Sequence, residues 1–159
     1  MNPIKYKIFV VEDNVLYAQV LKKHLENDHF QVRVFHTGKD CIMKLNEAPD
    51  VITLDYTLPD MTGHDVLNEI QQKLPNTHVI VISAQENINT AIELMKSGAY
   101  DYIMKAPDTR EKLSNIIKNI YKTDQLKNEN ILLKDAVKEK YNFRNLIKGN
   151  SREIDHVFD

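Results

Sequence analysis

Ile8-Phe9-Val10-Val11-Glu12-Asp13 is an apolar run that ends abruptly on two acids. A short run without polar alternation reads as a strand covered on both faces, the signature of a parallel sheet. The pattern returns along the chain. Val51-Ile52-Thr53-Leu54 ends on Asp55, His78-Val79-Ile80-Val81-Ile82 on Ser83, and Tyr102-Ile103-Met104 on Lys105. With the run near Phe30, these give strand expectations at 5–12, 30–35, 50–55, 77–83 and 100–104. In open α/β sheets, ligands bind beyond the carboxyl ends of the strands. Carboxylates, a hydroxyl and an amine gathered at such ends suit a hard cation and a phosphoryl group.

Amphipathic stretches separate the runs. Val15, Ala18, Val20, Leu21 and Leu25 form one apolar stripe, and Cys41, Ile42 and Leu45 form a second. Val66, Leu67, Ile70 and Leu74 lead to Pro75; Ala91, Ile92, Leu94 and Met95 lead to Gly98, a helix stop. The last stripe is Leu113, Ile116, Ile117 and Ile120, preceded by Asp108 and Glu111 in capping-box spacing. Five strand–helix units with short connections predict an α/β fold, a doubly wound parallel sheet of order 2-1-3-4-5.

Mg²⁺ prefers oxygen ligands and keeps several waters. Glu12, Asp13 and Asp55 can supply the carboxylates, whose mutual repulsion a cation relieves. An attacking Asp55 carboxylate would give an acyl phosphate. Lys105 can pair with phosphoryl oxygens as a point charge, and Ser83 can donate a hydroxyl hydrogen bond. His64 reads as a loop or helix-start residue rather than a metal ligand.

The chain has 159 residues, 42% of them hydrophobic and 28% charged, with a net charge of −2. That balance gives no global electrostatic reason to expect nucleic acid or a membrane surface as a direct partner. One cysteine, Cys41, excludes an intramolecular disulfide and reads as a core residue. There is no membrane-spanning stretch and no secretory signal pattern, so a cytoplasmic setting is expected.

After residue 121 the composition changes. Residues 122–141 lack Gly and Pro, are rich in charge, and should continue the last helix. Leu126, Asn130, Leu133 and Val137, spaced 4, 3 and 4 apart, suit a short parallel two-stranded coiled coil, with Asn130 fixing register. Residues 142–159 hold too little apolar surface to fold alone and read as the start of a further, truncated domain.

Residues 1–121 resemble the receiver domain of two-component response regulators, which has a flavodoxin-like fold. The matching positions are Glu12-Asp13, Asp55 with Thr57, Pro59 and Gly63, Ser83-Ala84, Gly98 to Tyr102, and Lys105. The resemblance implies that Asp55 accepts a phosphoryl group from a sensor histidine kinase. It also implies that Asp13, Asp55 and the backbone carbonyl of Thr57 hold Mg²⁺, with Glu12 acting mainly through water. Ser83 and Lys105 would bind the phosphoryl group, and Tyr102 would turn inward as Ser83 moves. Mg²⁺-dependent self-phosphorylation from small phosphodonors and self-dephosphorylation are expected, without enzymatic turnover of a separate substrate.

This sequence departs from the family pattern at two places. The family usually has proline directly after the lysine, often with a cis peptide; here Ala106 intervenes before Pro107, so the loop should be built differently and the aim of Lys105 with it. Glu12 stands where aspartate is commoner. The stretch from Leu126 through Ser151 resembles the linker and first AAA+ residues of activators of σ54 RNA polymerase. The ATPase motifs and any DNA-binding segment are absent from these residues, so polymerase and DNA would be reached only through further domains, and homodimerisation through the last helix. The alternatives are a stand-alone receiver or phosphotransfer protein, a receiver that no longer takes phosphate, and a haloacid dehalogenase-type phosphohydrolase. The last wants an acid where Thr57 stands.

Overall fold

The computed structural model describes residues 6–148, with side chains described through residue 140 except Glu139. Strands β1 (Lys7–Val11), β2 (Gln31–Phe35), β3 (Val51–Asp55), β4 (His78–Ser83) and β5 (Asp101–Met104) form one parallel sheet of order β2-β1-β3-β4-β5. The sheet and its order are those predicted from the apolar runs. Every residue of β3 is buried, and all of β4 except His78. That is why these runs show no polar alternation.

Helices α1 (Val15–Asn27), α2 (Gly38–Met43), α3 (Gly63–Lys73), α4 (Ile88–Lys96) and α5 (Thr109–Lys148) alternate with the strands. The first four start on side-chain caps: Asn14, Thr37, Thr62 and Asn87 each accept a backbone N–H from the first turn. Gly98 follows α4 at φ 107°, left-handed backbone that glycine adopts without cost. The core of the sheet region gathers Phe9, Val11, Ile52, Leu54, Val79 and Val81 from the strands with Leu67 and Ile70 of α3.

Three expectations need correction. In α1 only Ala18, Leu21 and Leu25 of the stripe are buried; Val20 is 41% exposed because the 3-and-4 spacing of the inner face skips it, and Val15, the first residue of the helix, is 57% exposed. The Cys41–Leu45 stripe is not one helix: α2 stops at Met43 and a 3-10 turn, Leu45–Glu47, carries Leu45 into the core. Finally, Asp108 does not cap α5. Its carboxylate lies 3.4 Å from the Lys112 ammonium one turn on.

The chain divides into two compact units, Met1–Ile117 and Lys118–Asp159. In the first, Leu113 and Ile117 of α5 are buried. In the second, α5 continues to Lys148, and Leu126, Ile131, Leu132, Leu133 and Val137 are all exposed. Of the stretch expected to open a further domain, residues 142–148 continue α5 and 149–159 lie outside the described residues. No helix among the described residues is long and apolar enough to cross a membrane.

Candidate functional site

The carboxyl ends of β1 and β3 are neighbours, with Val11 opposite Leu54 in the register. Glu12 and Asp13 therefore leave the sheet beside Asp55. Carboxylate oxygens of Glu12, Asp13 and Asp55 all lie within 4.8 Å of one another. Glu12 and Asp55 are buried, and Asp13 is exposed. Three hard oxygen donors in reach of one point, one of them open to water, fit a hydrated Mg²⁺ ion.

Lys105 leaves the end of β5 and crosses to this group. Its Nζ lies 2.6 Å from Glu12 Oε1 and 3.3 Å from Asp55 Oδ2. The unusual Lys105-Ala106-Pro107 loop thus does not turn the lysine away, although no peptide bond among the described residues is cis. Burial alone pushes Glu12 upward, Asp55 and Asp13 push it further, and Lys105 only partly offsets this; its pKa stands at about 7. Asp13 is held below its usual range, chiefly by a hydrogen bond from the Glu12 carboxyl. Burial works against the Lys105 charge, but its bond to Glu12 and the nearby carboxylates outweigh that and hold it above the ordinary lysine value.

Ser83 ends β4 opposite Met104 and is buried. Its hydroxyl donates to the Gln85 carbonyl at 3.1 Å and accepts the Gln85 N–H at 3.1 Å. The Tyr102 hydroxyl donates to the same carbonyl at 2.8 Å. One backbone oxygen therefore links the side chains singled out as phosphoryl ligand and switch. Thr57 donates its N–H to Asp55 Oδ1 at 3.1 Å. His64 falls in the first turn of α3 and bonds Ser97 Oγ at 2.9 Å, away from the carboxylates. The Cys41 thiol is buried and pushed up to about 12, which makes it inert.

Four residues at the site were not singled out in the sequence. The Tyr17 ring lies 4.9 Å from Lys105 Nζ, a cation–π distance. His36 Nδ1 is 2.8 Å from the Glu12 carbonyl. Gln85 supplies the shared carbonyl, and Thr109 ties the loop around Lys105. The signal for Tyr17 was its place in the first turn of α1, directly after the loop that carries Glu12 and Asp13. Gln85 acts through its backbone, which a sequence does not display.

Comparisons agree with this geometry. The sequence profile of the response regulator receiver domain matches residues 8–118. The chain is 37% identical over 122 residues to the luminescence regulatory protein LuxO of Vibrio campbellii, covering 76% of this chain and 27% of that protein. It is 32% identical over 133 residues to the DNA-binding transcriptional regulator NtrC of Proteus hauseri, covering 80% of this chain and 28% of that one. The crystal structure of the receiver domain of a putative LuxO repressor from Vibrio parahaemolyticus superposes with a TM-score of 0.72 at 29% identity, covering 79% of this chain and 96% of that structure. The chain spans just over a quarter of the length of these two curated relatives. It belongs to the response regulator receiver domain family.

Proposed function

We propose that this receiver domain takes a phosphoryl group on Asp55 from a sensor histidine kinase, and that the acyl phosphate switches the β4–β5 side of the sheet. The observation that carries the reading is the cluster of Glu12, Asp13 and Asp55 within 4.8 Å, with the Lys105 ammonium among them. Asp13, Asp55 and the Thr57 backbone carbonyl would hold Mg²⁺, with Glu12 acting mainly through water. Bound there, the ion neutralises charge between an anionic donor and an anionic acceptor. An Asp55 carboxylate oxygen bonds to phosphorus while the phosphorus–nitrogen bond to the kinase imidazole breaks, and the freed nitrogen keeps the electron pair. Lys105 then exchanges its Asp55 carboxylate contact for a phosphoryl oxygen.

The switch is a transfer of hydrogen bonds. Ser83 gives up Gln85 to donate to the phosphoryl group, and Tyr102 follows inward. Two charge-assisted hydrogen bonds supply roughly 1.5–3 kcal/mol each. Moving a two-state equilibrium from 1:99 to 99:1 needs about 5.5 kcal/mol. The supply is just adequate, so the unphosphorylated receiver keeps a measurable active fraction.

The output is an attached activator. The likeness to NtrC and LuxO and the exposed seam of Leu126, Leu133 and Val137 support a cytoplasmic homodimer paired through the linker, which controls an AAA+ ATPase of the σ54-activating class. In the domain plan that follows, 1–121 is the receiver, 122–141 the linker and 142–159 the start of the ATPase. The test is intact mass after incubation with acetyl phosphate and Mg²⁺, beside an Asp55→Ala variant. One added phosphoryl group in the parent alone, abolished by chelator, is the expected result. No gain in the parent overturns the reading.

A further inference from the structure

We infer that Thr109 is a positioning residue for Lys105, and that it works only because residue 106 is not proline. Its hydroxyl accepts the Ala106 N–H at 2.7 Å and donates to the Met104 carbonyl at 3.3 Å. These groups belong to the two peptide units that flank Lys105. The Thr109 N–H also returns to the Ala106 carbonyl at 3.1 Å, and the Lys105 N–H is fixed to the Ser83 carbonyl at 2.7 Å. The backbone on both sides of Lys105 is thus pinned, on one side to β4 and on the other to a threonine that is 1% exposed.

A hydroxyl has one proton to give and lone pairs to receive, so Thr109 can hold a carbonyl and an N–H at once. Proline at 106 would have no N–H to offer. The alanine is therefore a working part of the loop. From this base the lysine stem runs past the Tyr17 ring, 4.9 Å from Nζ, to Glu12 and Asp55. The Tyr17 hydroxyl is itself enclosed, so the ring flanks the lysine stem. A lysine side chain left to itself keeps many rotamers. Fixing the direction in which the stem leaves the backbone, with the Tyr17 ring on one flank, reduces them, and the ammonium is delivered without the proline turn.

The inference deepens the phosphoacceptor reading, and its kinetic arm rests on it. The variants are Thr109→Val, which keeps shape and removes the hydroxyl, Thr109→Ser, which restores it, and Ala106→Pro, which removes the N–H partner and also fixes φ at 106 and restricts the Lys105 backbone. The first readout is the NMR signal of the Lys105 ammonium in ¹⁵N-lysine-labelled protein, identified by its loss in Lys105→Ala. It is expected in the parent and in Thr109→Ser, and lost by fast exchange in Thr109→Val and Ala106→Pro, with melting temperatures showing that each variant is folded. The second readout is the rate of Asp55 phosphorylation by phosphoramidate with Mg²⁺. Loss of the hydroxyl's two hydrogen bonds, felt at Asp55 only through Lys105, predicts a rate about five- to tenfold lower in Thr109→Val, with recovery in Thr109→Ser. In a Lys105→Ala background, Thr109→Val should add no further loss, as residues acting through one group are not additive. A folded Thr109→Val or Ala106→Pro protein that keeps the ammonium signal overturns the inference, as does a Thr109→Val loss of rate that persists without Lys105. A parent that takes no phosphoryl group overturns the phosphoacceptor reading instead, and the ammonium signal still decides the clamp.

Discussion

The helix α5 is built on two different rules. Up to Ile117 it belongs to the first compact unit, and Leu113 and Ile117 are buried. From Leu126 onward its large apolar residues are bare: Leu126 is 61% exposed, Leu133 64% and Val137 67%. The sheet region buries a core within one chain, though Leu16 at 80% and Ile88 at 71% stay exposed on its helices, and its function lies in a polar group at the sheet edge. The linker has not satisfied its own, and a helix with an exposed 4-3-4 seam gains most by pairing with a copy of itself. The difference teaches where each kind of substitution should act: core and site changes within a single chain, seam changes between chains.

The largest effect expected is in the core. Leu67 of α3 is fully buried against the sheet, so Leu67→Ala should cost about 2–5 kcal/mol in urea unfolding of the receiver. A cost under ~1 kcal/mol would break the contrast, since it would put a core leucine on the footing of a surface one.

Next is the acid cluster. The Glu12 pKa, about 7, stands above its model-peptide value of 4.5, with burial as the largest cause. The protonated form is thus the favoured one in the folded chain. Its stabilising contribution is present in full below pH 4.5 and is lost as pH rises through about 7. In chelator, Glu12→Gln should therefore leave stability unchanged near pH 4.5 and raise it at pH 8 by about 1–3 kcal/mol relative to the parent, the Lys105 contact offsetting part of the gain. Mg²⁺ should bind the parent more tightly at pH 8 than at pH 6, since the ionised Glu12 carboxylate adds negative charge beside the ion and accepts hydrogen bonds from its waters. A titration with the opposite slope would mean that Lys105, not burial, governs Glu12.

A smaller change follows at the shared carbonyl. The Tyr102 hydroxyl is one of two donors to the Gln85 oxygen, so Tyr102→Phe leaves Ser83 in place as the other. The expected loss is about 0.5–1.5 kcal/mol of stability, with a shifted response to phosphorylation in amide spectra of β4 and β5. An unchanged response would remove Tyr102 from the switch.

Much of this was legible in the sequence, for identifiable reasons. A strand covered on both faces is nearly apolar throughout, so Val51–Leu54 and Val79–Ile82 announced themselves, and Asp55 and Ser83, which follow them, fell at the sheet edge by topology alone. What could not be read was whatever depends on which way a side chain or a carbonyl turns. Val15 and Val20 looked like core residues until the inner face of α1 proved to be Ala18, Leu21 and Leu25. Asp108 had the residue type and spacing of a cap, yet its carboxylate went to Lys112. Thr109, next to it, took the loop instead. A reader asking where the Ala106 N–H finds its partner would have been led to Thr109, since a backbone donor in a tight loop needs an acceptor nearby.

The finest test of the contrast compares two residues that a composition profile would treat alike. Leu133 is on the 4-3-4 seam with Leu126, Asn130 and Val137, while Ile131 is two residues earlier on the helix and points about 160° away from it at 100° per residue. Both are exposed, at 64% and 57%. If the linker pairs through the seam, Leu133→Ala should weaken the homodimer about tenfold or more in sedimentation equilibrium, or about 1.4 kcal/mol, and Ile131→Ala should change it less than twofold. Neither should alter the rate at which Asp55 is phosphorylated by a small donor, because no part of the site lies in the linker. Equal effects of the two substitutions would mean that the exposed residues act as general apolar surface rather than as a seam. A loss of phosphorylation in Leu133→Ala would mean that the linker's pairing feeds back on the carboxylates.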